Sequence, residues 1–245
     1  MRIVRSAVVF LLGILLMSGF ASCQRPESNS TRTPTPTPGV VVVSSNVFVT
    51  ESSLTIDGES RRLNIVAELR NDCSHEVRVG DVSIRFYDAY GNVVCKRLHQ
   101  EPLAEILSPG DITAVVEWVP SGLYVSDETN DFPENWTTYE ITLPEQRFTD
   151  RYPADVTIQD VDVTVDNFGT VTVTGSVLNT CQERVRITPY VILYGSGGRI
   201  INAAAYIGVG VLVNPGQSEP FEINFYDDEP NDYTRYVVDA YAICR

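Results

Sequence analysis

LNIVAELRNDC at residues 63–73, IRFYDAYGNVV at 84–94 and SPG at 108–110 recur, more loosely, further along the 245-residue chain. The second copy reads VTVTGSVLNTC at 171–181, VILYGSGGRII at 191–201 and NPG at 214–216. Asn71 and Asn179 are 108 positions apart, whereas Tyr87 and Tyr194 are 107 apart. An offset that shrinks by single steps indicates a duplicated unit with short loop deletions. Each copy is longer than the ~20–50-residue period of solenoid repeats, so we predict two tandem domains.

Apolar residues alternate with polar ones in both copies. Leu63, Ile65, Ala67 and Leu69 fall on one face of an extended chain, and residues 171–177 repeat the pattern. A period of two with β-branched residues is typical of a half-buried strand. No stretch has a helical period, and each copy has the length of one sandwich domain of about 100 residues. The sequence therefore predicts an all-β protein of two tandem antiparallel β-sandwiches.

The duplicated motif resembles the FxLYD family of bacterial extracytoplasmic domains. Residues 84–88, Ile-Arg-Phe-Tyr-Asp, occupy the position of the family's name motif, with Ile for its Phe and Phe for its Leu. Residues 191–195, Val-Ile-Leu-Tyr-Gly, keep its Leu and Tyr but lose its aromatic start and its Asp. The upstream Asn71 and Asn179 and the downstream Pro-Gly pairs also fit. The resemblance implies immunoglobulin-like sandwiches outside the cytoplasm. It supplies no catalytic residues.

The N-terminus has the pattern of a lipoprotein export signal. Two arginines precede an apolar run, and Phe20-Ala21-Ser22-Cys23 is a small-residue cleavage site that ends in Cys. The apolar run is too short for a transmembrane helix, which needs about 20 residues. We predict a signal peptide at residues 1–22 and acylation of Cys23, which resembles the lipobox cysteine. The alternatives are an ordinary secretory signal with an incidental Cys and an uncleaved short anchor.

The remainder of the chain divides into a tether and the two domains. Residues 23–39 are rich in Ser, Thr and Pro, and alternating Pro keeps such a segment extended at about 3.1 Å per residue. The first sandwich is predicted at residues 40–147 and the second at 154–245. The Val run at residues 40–43 is predicted to be the first strand of domain one. Its alternative role is an edge to which a partner adds a strand.

Charge excludes some partners. The chain has 18 basic and 32 acidic residues, for a net charge of −14. An acidic chain is not suited to nucleic acid, nor to binding an anionic membrane by charge. We therefore predict that the membrane is contacted through the acylated Cys23, and that no nucleic acid is bound.

The four cysteines other than Cys23 are an even number in an exported chain, which favours disulfides. Cys181 ends the second strand of domain two and Cys244 ends its last strand, so a bridge between them is geometrically reasonable. By elimination Cys73 pairs with Cys95, although Cys95 follows the hairpin and is nearer the opposite end of the domain. Cross-domain or intermolecular pairing is the alternative.

No nucleophile elbow, phosphate loop or zinc-protease motif occurs in the sequence, so we predict a protein that is not an enzyme and has no catalytic residues. Each domain has one acidic loop, which precedes its closing strand. Their carboxylates suit Ca²⁺, which takes six to eight oxygen ligands. The candidate Ca²⁺ ligands are Asp127, Asp131, Asp227, Asp228 and Asp232. No other cofactor is predicted.

The sequence thus predicts a lipid-anchored extracytoplasmic protein of the bacterial envelope. Its expected role is a non-catalytic binding or spacer module, with an envelope protein as the expected partner. The alternatives are a surface protein that binds a small solute or Ca²⁺ and, last, an enzyme without a recognisable site.

Overall fold

The computed structural model describes residues 39–55, 58–120, 135–143, 147–149, 153–206, 210–226 and 232–243. In these ranges every strand pair is antiparallel and no α-helix is present. The structure confirms the predicted all-β fold.

The strands of residues 40–148, here called the N-terminal half, form three sheets. They are β1 (Val40–Thr55), β2 (Gly58–Asn71), β3 (Val77–Arg78), β4 (Val82–Tyr87), β5 (Val93–Gln100), β6 (Ile106–Leu107), β7 (Ile112–Pro120), β8 (Thr138–Thr142) and β9 (Arg147–Phe148). The strand orders are β1-β2-β7, β5-β4-β8 and β6-β3-β9. Residues 40–43 are the start of β1, as predicted.

The strands of residues 153–243, here called the C-terminal half, form two sheets. They are β10 (Val156–Val165), β11 (Val171–Asn179), β12 (Val185–Tyr194), β13 (Ile200–Ala205), β14 (Val211–Val213), β15 (Ser218–Phe225) and β16 (Arg235–Ala242). One sheet has the order β10-β11-β15, and in the other β12 pairs with β13, β14 and β16. A 3-10 turn, Ser196–Gly198, separates β12 from β13.

The two halves have the same topology. Strand β12 pairs with β13, β14 and β16. In the N-terminal half two strands take its place: β3 pairs with β6 and β9, and β4 pairs with β5 and β8. The continuous strand β12 is therefore split in the N-terminal half, where residues 79–81 interrupt it. Named strands of the described ranges pair only within one half. The exact domain limits, 40–147 and 154–245, stay a prediction.

Each half has a core between its sheets. In the N-terminal half Leu63 and Ile65 of β2 pack with Ile84 and Phe86 of β4 and with Cys95 of β5. In the C-terminal half Val173, Val191 and Phe225 belong to the corresponding core. These side chains are the alternating residues of the sequence, because neighbouring residues of a strand point to opposite faces. The facing sheets make each half a sandwich.

The repeated Asn closes the same loop in both halves. Asn71 Nδ2 donates to the carbonyl oxygens of His75 and Leu107, both at 2.9 Å, and its Oδ1 accepts from Cys73 N at 2.8 Å. Asn179 Nδ2 donates to Glu183 O at 2.7 Å and Val213 O at 3.0 Å, and its Oδ1 accepts from Cys181 N at 2.9 Å. Both amides are fully buried. The motif Asn is thus structural, because its buried side chain satisfies three backbone groups of the loop.

The repeated Pro-Gly pairs form a turn that bonds to the backbone of the same Asn residues. Gly110 has φ +85° and Gly216 has φ +69°, a region that favours glycine. Their amides donate to the carbonyl oxygens of Asn71 at 2.9 Å and Asn179 at 2.8 Å. The Asn and the Pro-Gly therefore belong to one loop closure, which explains why they recur together.

Candidate contact site between the two halves

The outer face of the β12 sheet packs on the N-terminal half. Along β12, residues 191 and 193 point into the core of their own half, and the alternate residues 190, 192 and 194 point outward. The outward Tyr190, Ile192 and Tyr194 join a core that also contains Val66 of β2 and Ala114 of β7. All three outward side chains are 2% exposed or less. An apolar layer therefore continues from one half into the other.

Polar groups bridge the halves at the edge of this layer. Ile200 N donates to Ser44 Oγ at 3.3 Å, and Asn46 Nδ2 donates to Ile201 O at 3.1 Å. Both bonds join β1 to β13. Strand β13 thereby lies against β1 without extending its sheet.

Tyr190 makes a further polar contact across the halves. Its hydroxyl lies 3.0 Å from Ile112 O, at the start of β7, and 3.1 Å from Asp239 Oδ2, on β16. Burial, and then the negative charge of Asp239, raise the pKa of the Tyr190 hydroxyl. It is therefore a neutral hydrogen-bond donor at every ordinary pH.

Asp239 is exposed at the mouth of a crevice, yet the surrounding protein removes part of the water from its carboxylate. This desolvation raises the pKa of Asp239, and the negative charge of Asp111 adds to the effect. The bonds from Ala240 N and Tyr190 act in the opposite direction. The net direction is upward, so Asp239 holds a proton more readily than an ordinary aspartate.

Tyr194 is held between charged groups of both halves. The Arg235 guanidinium lies 4.1 Å from the centre of the Tyr194 ring, and Arg235 is its cross-strand partner on β16. Glu68 of β2, which is 7% exposed, accepts a bond from Ser44 Oγ at 3.3 Å. Burial, and then the negative charge of Glu68, raise the pKa of the Tyr194 hydroxyl. The ring therefore lies under an arginine of its own half, and its hydroxyl is within the electrostatic influence of a carboxylate of the other half.

A crevice of about 180 Å³ opens where the halves meet. It is lined by Asp111, Asp155, Tyr190, Asp239 and Tyr241, among others. A wider open recess of about 670 Å³ adjoins it through Pro153, Ala154 and Asp155. Ligand pockets usually measure about 300–1,000 Å³, so of these two cavities the recess has the volume for a small molecule.

The predicted cysteines fall in different places. Cys181 Sγ donates to Asp155 O at 3.4 Å, while its predicted partner Cys244 lies outside the described residues. Cys73 is buried in the layer shared by the halves, and Cys95 is buried in the smaller core with Phe86. A Cys73–Cys95 bridge would have to join these two cores. Both disulfides stay predictions.

The other predicted site residues lie at the margin of what the structure describes. Cys23 with its signal peptide, Asp127, Asp131, Asp227 and Asp228 are outside the described residues. Asp232 is inside them and is exposed. In the part of the chain that the structure describes, no three His, Cys, Asp or Glu side chains are grouped so as to hold a metal. The lipidation and calcium sites stay predictions.

The same part of the chain has no helix that is long and apolar enough to cross a membrane.

Comparison with known proteins identifies no family. No protein-family model matches the chain, and no curated protein is similar to it. A red sea bream transglutaminase structure is similar at 12% identity and a TM-score of 0.24, over 82% of this chain and 29% of that chain. The tandem CBM22-1–CBM22-2 domains of Paenibacillus barcinonensis Xyn10C are similar at 11% identity and a TM-score of 0.13, over 85% and 86% of the two chains.

Sequence reasoning missed the contact between the halves, although a signal for it exists. Residues 189–194 read Pro-Tyr-Val-Ile-Leu-Tyr, without the alternation of the other strands. A continuous apolar run indicates a strand that is buried on both faces. One of those faces is the core of the C-terminal half, and the other is the contact with the N-terminal half.

Proposed function

We propose that this protein is a lipid-anchored, non-catalytic module of the bacterial envelope that presents a protein-binding surface in a fixed orientation. The observation that carries the proposal is the apolar layer between the halves. Tyr190, Ile192 and Tyr194 are buried against the other half, so the two sandwiches form one body. Such burial restricts motion between domains, which is otherwise the default expectation for neighbouring domains.

The sequence supports the remaining parts of the proposal. Cys23 would carry the lipid, residues 24–39 would be the spacer, and the resemblance to FxLYD domains suits an extracytoplasmic location. A stiff body on a tether serves recognition, because less orientational freedom is lost when a partner binds.

The test is an in-cell crosslink and pull-down of the full-length protein. The expected result is one envelope protein that is recovered repeatedly with the wild type and lost with Cys23→Ala. Tyr194→Ala, which removes the ring between the halves, should also lower its recovery. Tyr87→Ala, the same change at the equivalent position of the N-terminal half, is the matched control for loss of a tyrosine.

Recovery of nothing but lipid and bulk envelope protein would contradict the binding proposal and leave a spacer. If Tyr194→Ala recovers as much of the envelope protein as the wild type does, the binding proposal stands, but a fixed orientation of the halves is not needed for binding.

Binding of a small solute is the second candidate, and the open recess of about 670 Å³ favours it. Its lining includes Asp155, Thr180 and Gln182, which offer polar groups for orientation. A saturable rise of the thermal midpoint in a metabolite screen would support this function. Gln182→Ala, at an exposed lining residue, should weaken that response without altering the midpoint of the unliganded protein.

A further inference from the structure

The Tyr190 hydroxyl has one proton to donate, and two acceptors lie within hydrogen-bond distance of it. Ile112 O lies 3.0 Å from it and Asp239 Oδ2 lies 3.1 Å from it. A tyrosine hydroxyl donates one hydrogen bond and accepts others. With an ionised Asp239, the carbonyl of one half and the carboxylate of the other compete for the same hydrogen.

A proton on Asp239 removes this competition. Ala240 N donates to Asp239 Oδ1 at 2.7 Å, which keeps that oxygen as an acceptor and leaves Oδ2 toward Tyr190. A protonated Oδ2 donates to the tyrosine oxygen, and the tyrosine hydrogen then belongs to Ile112 O alone. All three groups are satisfied at once, in a chain of bonds from β16 through β12 to β7.

The groups around Asp239 favour this protonated form. Tyr190 of β12 and Tyr241 of β16 line the crevice with it, as do Asp111, which precedes β7, and Asp155, which precedes β10. Among the described residues that line the crevice there is no Lys, Arg or His. The crevice therefore has two other carboxylates and no cation among these lining residues, and the pKa of Asp239 is raised by desolvation and, to a smaller extent, by the charge of Asp111.

We propose that the contact between the halves is proton-linked: one proton from solvent binds Asp239 Oδ2, completes the Asp239–Tyr190–Ile112 chain and tightens the packing of the halves. No covalent bond changes, and the proton returns to solvent when Asp239 ionises.

The direction of the pH dependence follows from the raised pKa. When the halves separate, Asp239 loses the surrounding protein and its pKa falls toward the ordinary value. The docked state therefore binds more protons, and docking is strongest below the pKa of separated Asp239. The contribution is lost as pH rises through the higher pKa of the docked state. Because one proton is involved, the docking equilibrium changes by at most about tenfold per pH unit.

The experiment compares hydrogen exchange of β7 and β12 amides from the ordinary pKa of an aspartate, about 4, up to neutral pH, corrected for the intrinsic exchange rate. It uses the full chain in detergent, as wild type, Asp239→Asn, Tyr190→Phe and Asp162→Asn. The Asn amide donates at the Oδ2 position without titrating, so it imitates the protonated Asp239. Asp162 is exposed on β10, away from the contact, so Asp162→Asn removes the same charge without touching the contact.

The wild type and Asp162→Asn should lose protection as pH rises, and Asp239→Asn should keep it. Tyr190→Phe should be less protected at low pH and should have lost the pH dependence. Two results would overturn the proposal: an equal pH dependence in wild type and Asp239→Asn, or an Asp162→Asn protein that behaves like Asp239→Asn. Because Asp239 is exposed, its amide variant is expected to fold and to remain an informative comparison.

Discussion

The two halves share a topology but expose different surfaces at equivalent strands. The outward residues of β4 are Ser83, Arg85 and Tyr87, all half-buried. Their equivalents on β12 are Tyr190, Ile192 and Tyr194, all buried. The inward residues of both strands are apolar and buried alike. The inward face of this strand thus forms the core of each sandwich. The residues of the outward face determine whether that face is exposed to solvent or packs on the other half.

The motif tyrosine shows the difference most clearly. Tyr87 lies at the surface and donates to Glu140 Oε2 at 2.7 Å. Tyr194 is fully buried under Arg235 and against the other half. One residue of the motif thus serves as a surface hydrogen-bond donor in one copy and as part of the contact in the other.

The largest effect is expected from truncation of these tyrosines. Tyr194→Ala should cost about 3–5 kcal/mol, as for large buried aromatic side chains, because it leaves a cavity between the halves. Tyr87→Ala should cost about 1 kcal/mol, because it loses one bond at the surface. Urea denaturation measures both values.

The shape of the transitions tests the same comparison. A well-packed contact predicts that the wild type unfolds in one transition, and that Tyr194→Ala separates it into two. Equal losses of stability in Tyr87→Ala and Tyr194→Ala would show that the layer between the halves contributes nothing.

The buried motif amides should respond equally in the two halves. Asn71→Ala or Asn179→Ala leaves one backbone donor and two carbonyls without their partner, at a cost of about 3 kcal/mol in each case. The thermal midpoint measures it, and Asn167→Ala, at an exposed turn, should have little effect. A much smaller loss in one half would mean that its loop closes without the amide.

A third comparison concerns the interior of the sandwiches. Arg97 of β5 donates to Glu117 of β7 through Nε at 2.9 Å and through Nη2, in a pair that is mostly buried. By register the equivalent residues of the C-terminal half are Ala204 and Ile223, which pack in its core. One sandwich therefore has an ion pair where the other has apolar side chains.

The smallest expected net effect comes from an exchange of this pair. Arg97→Ala alone should destabilise by about 2 kcal/mol, since it leaves a mostly buried carboxylate unpaired. The double variant Arg97→Ala/Glu117→Ile, which copies the C-terminal half, should regain most of that loss, because apolar replacement of such a pair is often neutral. Chemical denaturation checks it. A double variant as unstable as the single one would indicate that the N-terminal core has no room for the apolar pair.

Much of the fold was predictable from particular residues. The alternation at residues 63–69 and 171–177 predicted β2 and β11, because a period of two assigns side chains to the two faces of a strand. The repeated Asn and Pro-Gly marked equivalent loops, and their spacing revealed the duplication. The short β14 had too few residues to show a period. The loop role of Asn71 and Asn179 was not predictable, because their partners are carbonyls of residues up to 36 positions away.

The sequence by itself determined the strands and the repetition, because both depend on local periodicity and on turn residues. Only the tertiary structure decided which outer face is covered and which aspartate meets Tyr190. Asp239 is 49 positions from Tyr190 and Ile112 is 78 positions from it. Contacts over such distances depend on strand register and on the packing of the halves, which no local pattern encodes.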